Sequence, residues 1–373
     1  MRDAVTTGVN LPEVLQFGTL PVELGGALYF FADDGVHGRE LWRTDGTEAG
    51  TWMVRDVCPG QCTATIGPEV VAHQGFLWFA AHDGVHGREL WRSDGTFDGT
   101  SLVADLRPGP ANAGPEWLTP LGVLLLFSAH GPDGRELWVT DGTPAGTSQL
   151  LDIHPTGSSW PASFVVWKGA AWFTAEDDAH GRELWTTDGT PGGTQLLLDV
   201  RPGPADGLEG DQIFLTRFDT PAPLGDLLLF AGDDGLQGRE LWATDGTGPG
   251  TALLADIEPG PGSSNPAWLT PFGGEVLFQA EQVGTGRALW RSDGTVGGTV
   301  LVRDIEPGPS DSSLFPFVEA GGRLFFAAST DAEGHELWVT DGTPGGTALV
   351  EDLQPGSGGA LAWNFAFGLH PLG

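Results

Sequence analysis

A phrase that returns seven times is the strongest constraint on what this chain can fold into. Residues 33–51 read DDGVHGRELWRTDGTEAGT, and residues 82–100 read HDGVHGRELWRSDGTFDGT. With the Trp of each copy as marker, the copies fall at Trp42, Trp91, Trp138, Trp185, Trp242, Trp290 and Trp338, at intervals of 49, 47, 47, 57, 48 and 48 residues. Each copy has the same grammar: a β-rich run such as ALYFFA or LLLFSA, a Gly/Asp/His loop, ELWxTD, the turn DGTxxGT, an alternating run such as LLVADL, then PG. That grammar predicts four short strands separated by turn chemistry, with no segment of helical period between them. Four strands at a fixed period of this size define a propeller blade. The expectation is therefore an all-β, seven-bladed β-propeller of four-stranded antiparallel blades. An open solenoid would need polar caps at its ends, and the C-terminal ALAWNFAFGLHPLG is apolar.

The copies place repeats at about 18–60, 61–109, 110–157, 158–203, 204–260, 261–308 and 309–356 in one domain, residues 1–373, with 357–373 left as a closing or flanking tail. This tail either displaces the N-terminal strand in a shared blade or flanks the ring. The long fourth interval comes from an insertion, residues 204–223, and insertions on a rigid scaffold are either functional or simply tolerated.

The recurring GRELWRTDGT, GRELWVTDGT and GRELWATDGT resemble the ELWxxDGT repeat family of secreted or surface-associated bacterial proteins, over roughly residues 18–356. Copies six and seven depart from the pattern with GRALW and GHELW. The resemblance implies a propeller-like repeat array and an extracytoplasmic address. It implies no catalytic residue set.

Within the phrase, the Trp is expected on the third strand, on the face opposite the Glu, packing between neighbouring sheets. Asp45 and its six equivalents are expected to accept backbone N–H groups two residues on, with the next Gly supplying a positive φ. Arg39 and Glu40 point to opposite faces, so the Arg is expected to bridge to an Asp of the same or the next blade.

The formal net charge of −33, from 17 basic and 50 acidic residues, excludes nucleic acid and anionic membranes as partners. No apolar run is long enough to predict membrane insertion. Cys58 and Cys62 flank a Pro-Gly turn, which leaves a local disulfide or two free thiols; a bridge would mean an oxidising compartment.

The loops after strands two and four carry the less uniform letters. Trp117, Trp160, Trp268 and Phe315, with His37, His86 and His180, are candidate ligand-binding residues. Asp34, Asp83, Asp177 and Asp234 are candidate metal ligands, and Ca²⁺ is the one cofactor such oxygen-rich loops suggest. Three readings compete for these loops: a surface for saccharide or protein, a Ca²⁺ site, and turn caps with core-edge aromatics. No G-x-S-x-G elbow, H-E-x-x-H helix or phosphate-binding Gly loop appears. The leading expectation is a non-enzymatic, monomeric binding or adhesion scaffold, secreted or on the cell surface, with extracellular polysaccharide or protein as partner. The alternative is a Ca²⁺-stabilised structural surface protein, and a glycan-active enzyme stands third.

Overall fold

The computed structural model describes residues 21–60, 65–209 and 220–359. The tail beyond 359, residues 210–219 of the insertion and Cys62 lie outside the described residues. The described chain forms seven four-stranded antiparallel sheets, each with its strands in sequence order. The first runs Val22–Leu24, Ala27–Asp33, Arg39–Thr44 and Trp52–Arg55. The others span residues 65–104, 116–151, 162–198, 222–255, 267–303 and 315–351. The expected fold class holds: this is an all-β, seven-bladed propeller. The one helical turn among the described residues is Pro191–Gly193, in a hairpin.

The chain divides into two compact units, one of 1–171, 175–178 and 186–195, the other of 172–174, 179–185 and 196–373. Within the first, Leu41 and Phe31 of sheet one pack with Phe79 and Trp91 of sheet two. Leu90 of sheet two likewise packs with Phe127 and Trp138 of sheet three. The second unit repeats the pattern, with Leu241 against Trp290 and Leu289 against Trp338. Trp91, Trp138, Trp290 and Trp338 are thus inter-sheet residues. The marker Trp shares its face with the Glu, contrary to the expectation: Glu40 pairs with Ala32 and Trp42 with Phe30. Residues two apart on a strand point the same way, and Leu41, between them, takes the other face.

The DGTxxGT hairpin is a closed hydrogen-bond circuit. Asp45 Oδ1 accepts from Thr47 N–H (2.9 Å) and Thr47 Oγ1 (2.7 Å). Thr47 Oγ1 in turn accepts from Gly50 N–H at 2.9 Å. Thr51 Oγ1 donates to the Thr47 carbonyl at 2.7 Å. The seven hairpins repeat this circuit, and in each the second Gly packs its Cα against the Asp carboxylate, so that a Cβ there would overlap it. Gly193 is held against Asp188 in this way, whereas its neighbour Gly192 faces open space. Gly193→Ala is therefore expected to lower stability by about 1–3 kcal/mol, since overlap must be relieved by moving packed atoms. Gly192→Ala should leave the midpoint of thermal unfolding nearly unchanged. Equal midpoints for the two variants would refute the steric account.

Candidate functional site

In five of the seven sheets the end opposite the hairpins is built by the three residues Gly-Arg-Glu at the start of strand three, with Gly-Arg-Ala in sheet six and Gly-His-Glu in sheet seven. The Glu is fully buried in six sheets, as Glu40, Glu89, Glu136, Glu183, Glu240 and Glu336. Its carboxylate accepts backbone N–H groups from the linker that leaves its own sheet for the next. The first donor stands 17 residues on, as Val57, Leu106, Ile153, Ile257 and Leu353. A second stands 24 residues on: Ala113 to Glu89 (3.1 Å), Ser159 to Glu136 (2.9 Å) and Ser264 to Glu240 (2.8 Å). The hydroxyls of Ser159 and Ser264 add bonds of 2.6 and 2.5 Å.

The Arg backbone closes the same clamp. Arg88 N–H donates to Asn112 Oδ1, Arg135 N–H to Ser158 Oγ, Arg182 N–H to Asp206 Oδ1, and Arg287 N–H to Asp311 Oδ1. The carbonyls of Arg88, Arg135, Arg182, Arg239 and Arg287 accept linker N–H groups. The preceding Gly, as at Gly87 (φ 73°), lies so close to the linker backbone that a Cβ would collide with the Ala111 carbonyl. Sheet six has Ala288 in place of Glu, and there Gln279 Oε1 accepts from Leu314 N–H at 2.8 Å while Ser312 Oγ accepts from Glu306 N–H at 3.0 Å.

Burial sets the titration of these carboxyls. It pushes Glu40 and Glu183 up to about 8 and Glu89 to about 7, against the opposing pull of the N–H donors. Glu136 and Glu240 are raised for the same reason. A carboxyl whose pKa is higher folded than unfolded favours folding while protonated. Its contribution is complete below its ordinary value near 4.5 and is lost as pH rises through the folded value. The hairpin aspartates act oppositely: side-chain and backbone bonds from the Thr hold Asp45 and Asp141 below 3.8, so their contribution falls only in stronger acid. The thermal midpoint is therefore expected to drop as pH rises from 5 to about 8, and the drop should shrink in Glu89→Gln. A midpoint that climbs over that range would contradict the assignment.

The sequence-derived site residues separate into distinct local structures. Asp34 Oδ1 accepts from Val36 and His37 N–H, and its Oδ2 lies 2.7 Å from His37 Nδ1. Asp83 and His86 repeat this arrangement atom for atom. Asp234 accepts from Leu236 and Gln237 N–H. These carboxylates cap their own turns, and bonding to Asp34 raises the pKa of His37. Asp177 and His180 are half-buried at the end of strand two and in the loop that follows it in sheet four. Among the described residues no group of three or more His, Cys, Asp or Glu is placed to hold a metal ion. Cys58 is disulfide-bonded.

The four aromatics do not form one equivalent ring. Four of the linkers have a left-handed residue just after the clamped position, and three of these have a second one three residues later. The first is Gly114 (φ 58°), Trp160 (φ 46°), Asn265 (φ 48°) and Ser313 (φ 26°). The second is Trp117 (φ 58°), Ser163 (φ 57°) and Trp268 (φ 58°). Trp117 and Trp268 occupy bulges in strand one, where Thr119 and Thr270 hydroxyls bond their carbonyls. Phe315 begins strand one of sheet seven, and its side chain lies outside the described residues.

Trp160 lies in a charged setting. Its ring sits 5.4 Å from Arg135 Cζ and edge-on to His130 at 5.6 Å. Arg135 Nη1 is 3.3 Å from Glu116 Oε2, and Arg88 Nη2 is 3.0 Å from Glu116 Oε1. The phrase led to the expectation of an Arg bridge to an Asp; the acid here is Glu116, on strand one of sheet three, which is the next sheet for Arg88 and the same sheet for Arg135. Burial and the charges of Arg135 and Arg107 hold His130 below its ordinary value. Sequence reasoning passed over Glu116, which belongs to no repeated letter. The signal for this cluster was the one copy that carries His130 where four others carry Asp.

No protein-family model matches the chain, and no curated protein is similar to it. Solved structures are. A puromycin-hydrolyzing peptidase of Mycobacterium tuberculosis superposes with a TM-score of 0.50 at 12% identity, covering 91% of this chain and 55% of that one. A puromycin hydrolase, as an S511A mutant complexed with PGG, gives 0.48 at 17% identity over 94% and 56%. A structure from work on two prolyl endopeptidases gives 0.47 at 12% over 90% and 51%. The chain spans about half the length of the structures it resembles. These neighbours are hydrolases and peptidases, and they correct the expectation of a non-enzymatic adhesion scaffold. Letters spent on sevenfold architecture gave the sequence no sign of this likeness.

Proposed function

We propose that the chain serves peptide turnover, as a propeller module of peptidase-related function that engages polypeptide at the linker end of its sheets. The carrying observation is the likeness of fold to the puromycin-hydrolyzing peptidase over 91% of this chain. The linker end supports the reading, because it concentrates the polar groups that break sevenfold repetition, Glu116, His130 and Trp160 among them. The repeat resemblance and the disulfide at Cys58 support an extracytoplasmic, oxidising location.

The test incubates the purified chain at about 100 µM, a concentration that reveals weak affinities, with puromycin and a mixture of unstructured peptides, followed by ultrafiltration and mass spectrometry. The expected result is a subset of peptides retained with the protein or shortened by it. Peptides that pass through unretained and intact would overturn the proposal.

A further inference from the structure

In a chain with a formal net charge of −33, two guanidiniums of sheet one stand beside aromatic rings and have no acid paired to them among the described residues. Arg43 Cζ lies 4.2 Å from the centre of the Trp52 ring, and Arg55 Cζ lies 4.9 Å from that of Phe97. The Nε of Arg43 is buried without a hydrogen-bond partner. The Oδ1 of the nearby Asp45 is held by Thr47. Sheet six supplies the contrast. Arg291 stands at the Arg43 position of its strand three and is met by Glu275 at 3.1 Å. The Glu275 position of sheet one is Ala27.

The four side chains gather at the seam with sheet two. Arg43 and Leu41 share one side of strand three, and Leu41 packs against sheet two. The irregularity between Leu41 and Trp42 sets Arg55 opposite Leu41 and Trp52 opposite Arg43, so both join that side. Arg55 Nη1 reaches the Thr100 carbonyl at 2.5 Å, in the sheet-two hairpin that carries Phe97. Both aromatics break the sevenfold repeat. Trp52 is 42% exposed where the other fourth strands begin with Ser, Gln, Ala or Val. Phe97 is 61% exposed where the other hairpins have Glu, Pro, Gly or Val. The other sheets are built without either ring, so architecture does not require them. A cation over a ring uses the face of the guanidinium and leaves in-plane N–H groups for a carboxylate.

We propose that the seam of sheets one and two at the hairpin end docks an acidic segment of a partner protein, with a carboxylate on Arg43 and an apolar side chain against Trp52 and Phe97. Charge complementarity selects the partner, because donors left without acid in so acidic a chain are matched by carboxylates from outside it. The surface lies at the opposite end of the sheets from the linkers and stands apart from the peptide-turnover reading.

The test is calorimetric titration of the intact chain at about 0.15 M salt, where repulsion from charges beyond about 8 Å is largely screened. The probes are acetyl-Glu-Asp-Phe-Glu-Asp-amide, its neutral Gln-Asn-Phe-Gln-Asn counterpart, and the acidic peptide with Ala in place of Phe. The acidic Phe peptide is expected to bind about tenfold more tightly than the neutral one and several-fold more tightly than the Ala one. Trp52→Ser, Phe97→Pro and Arg43→Val install the residues of sister sheets, and each should weaken binding several-fold while melting close to the parent temperature. Arg291→Val, in sheet six, should leave binding unchanged. No binding of the acidic peptide, equal binding of the acidic and neutral peptides, or undiminished binding by Trp52→Ser and Arg43→Val overturns the surface. A Trp52→Ser variant that melts lower yet binds as the parent does marks Trp52 as structural and overturns it too. Sedimentation of the chain alone tests a second copy as occupant: a monomer supports the assignment, and a dimer that Trp52→Ser dissociates overturns the assignment to a partner protein.

Discussion

A carboxylate buried at the start of strand three is the interaction on which the rest of this structure depends. Placing a carboxyl group in a dry interior is costly unless its lone pairs are used. Here they are used on the backbone of the departing linker, the part of a repeat with no ladder of its own. The linker must turn back to begin the next sheet, and its N–H groups would otherwise be buried unpaired. One side chain thus satisfies donors 17 and 24 residues away and fixes where the next sheet starts. The adjacent Gly permits the close approach, and the Arg backbone completes the clamp. Sheet six confirms the logic by exception, because its Ala288 is accompanied by Gln279 and Ser312 as replacement acceptors.

The same economy governs the opposite end of each sheet. In DGTxxGT every letter has a partner inside the hairpin, so the turn is self-contained. Residues repeated in all seven copies are therefore spent on architecture. Departures from the repeat are where recognition chemistry can reside, and Glu116, His130 and Trp160 are such departures.

Much of the fold was legible because its signals are local. Alternation, turn residues and a constant period identify strands and hairpins within a few positions, and Asp45 bonds where turn chemistry places it. The clamp was not legible, because Glu40 finds its partners at Val57 and Cys58, in a linker whose own letters vary. The side of the Trp was misjudged through strand periodicity, which sets Glu40 and Trp42 on one face. The aromatic set was grouped by proximity to the next strand. Backbone conformation separates it, since Trp160 takes the first left-handed position of its linker while Trp117 and Trp268 take the second. The turn-capping role of Asp34 and Asp83 was one of three readings open from sequence, and only hydrogen-bond geometry distinguishes it from metal ligation.

Amide hydrogen exchange on Glu89→Ala addresses the clamp most directly. Leu106 and Ala113 N–H groups, both bonded to that carboxylate, should lose protection, while Ile257 and Ser264, bonded to Glu240, keep theirs. Unchanged protection at Leu106 and Ala113 would contradict the claim that the buried carboxylate holds the linker.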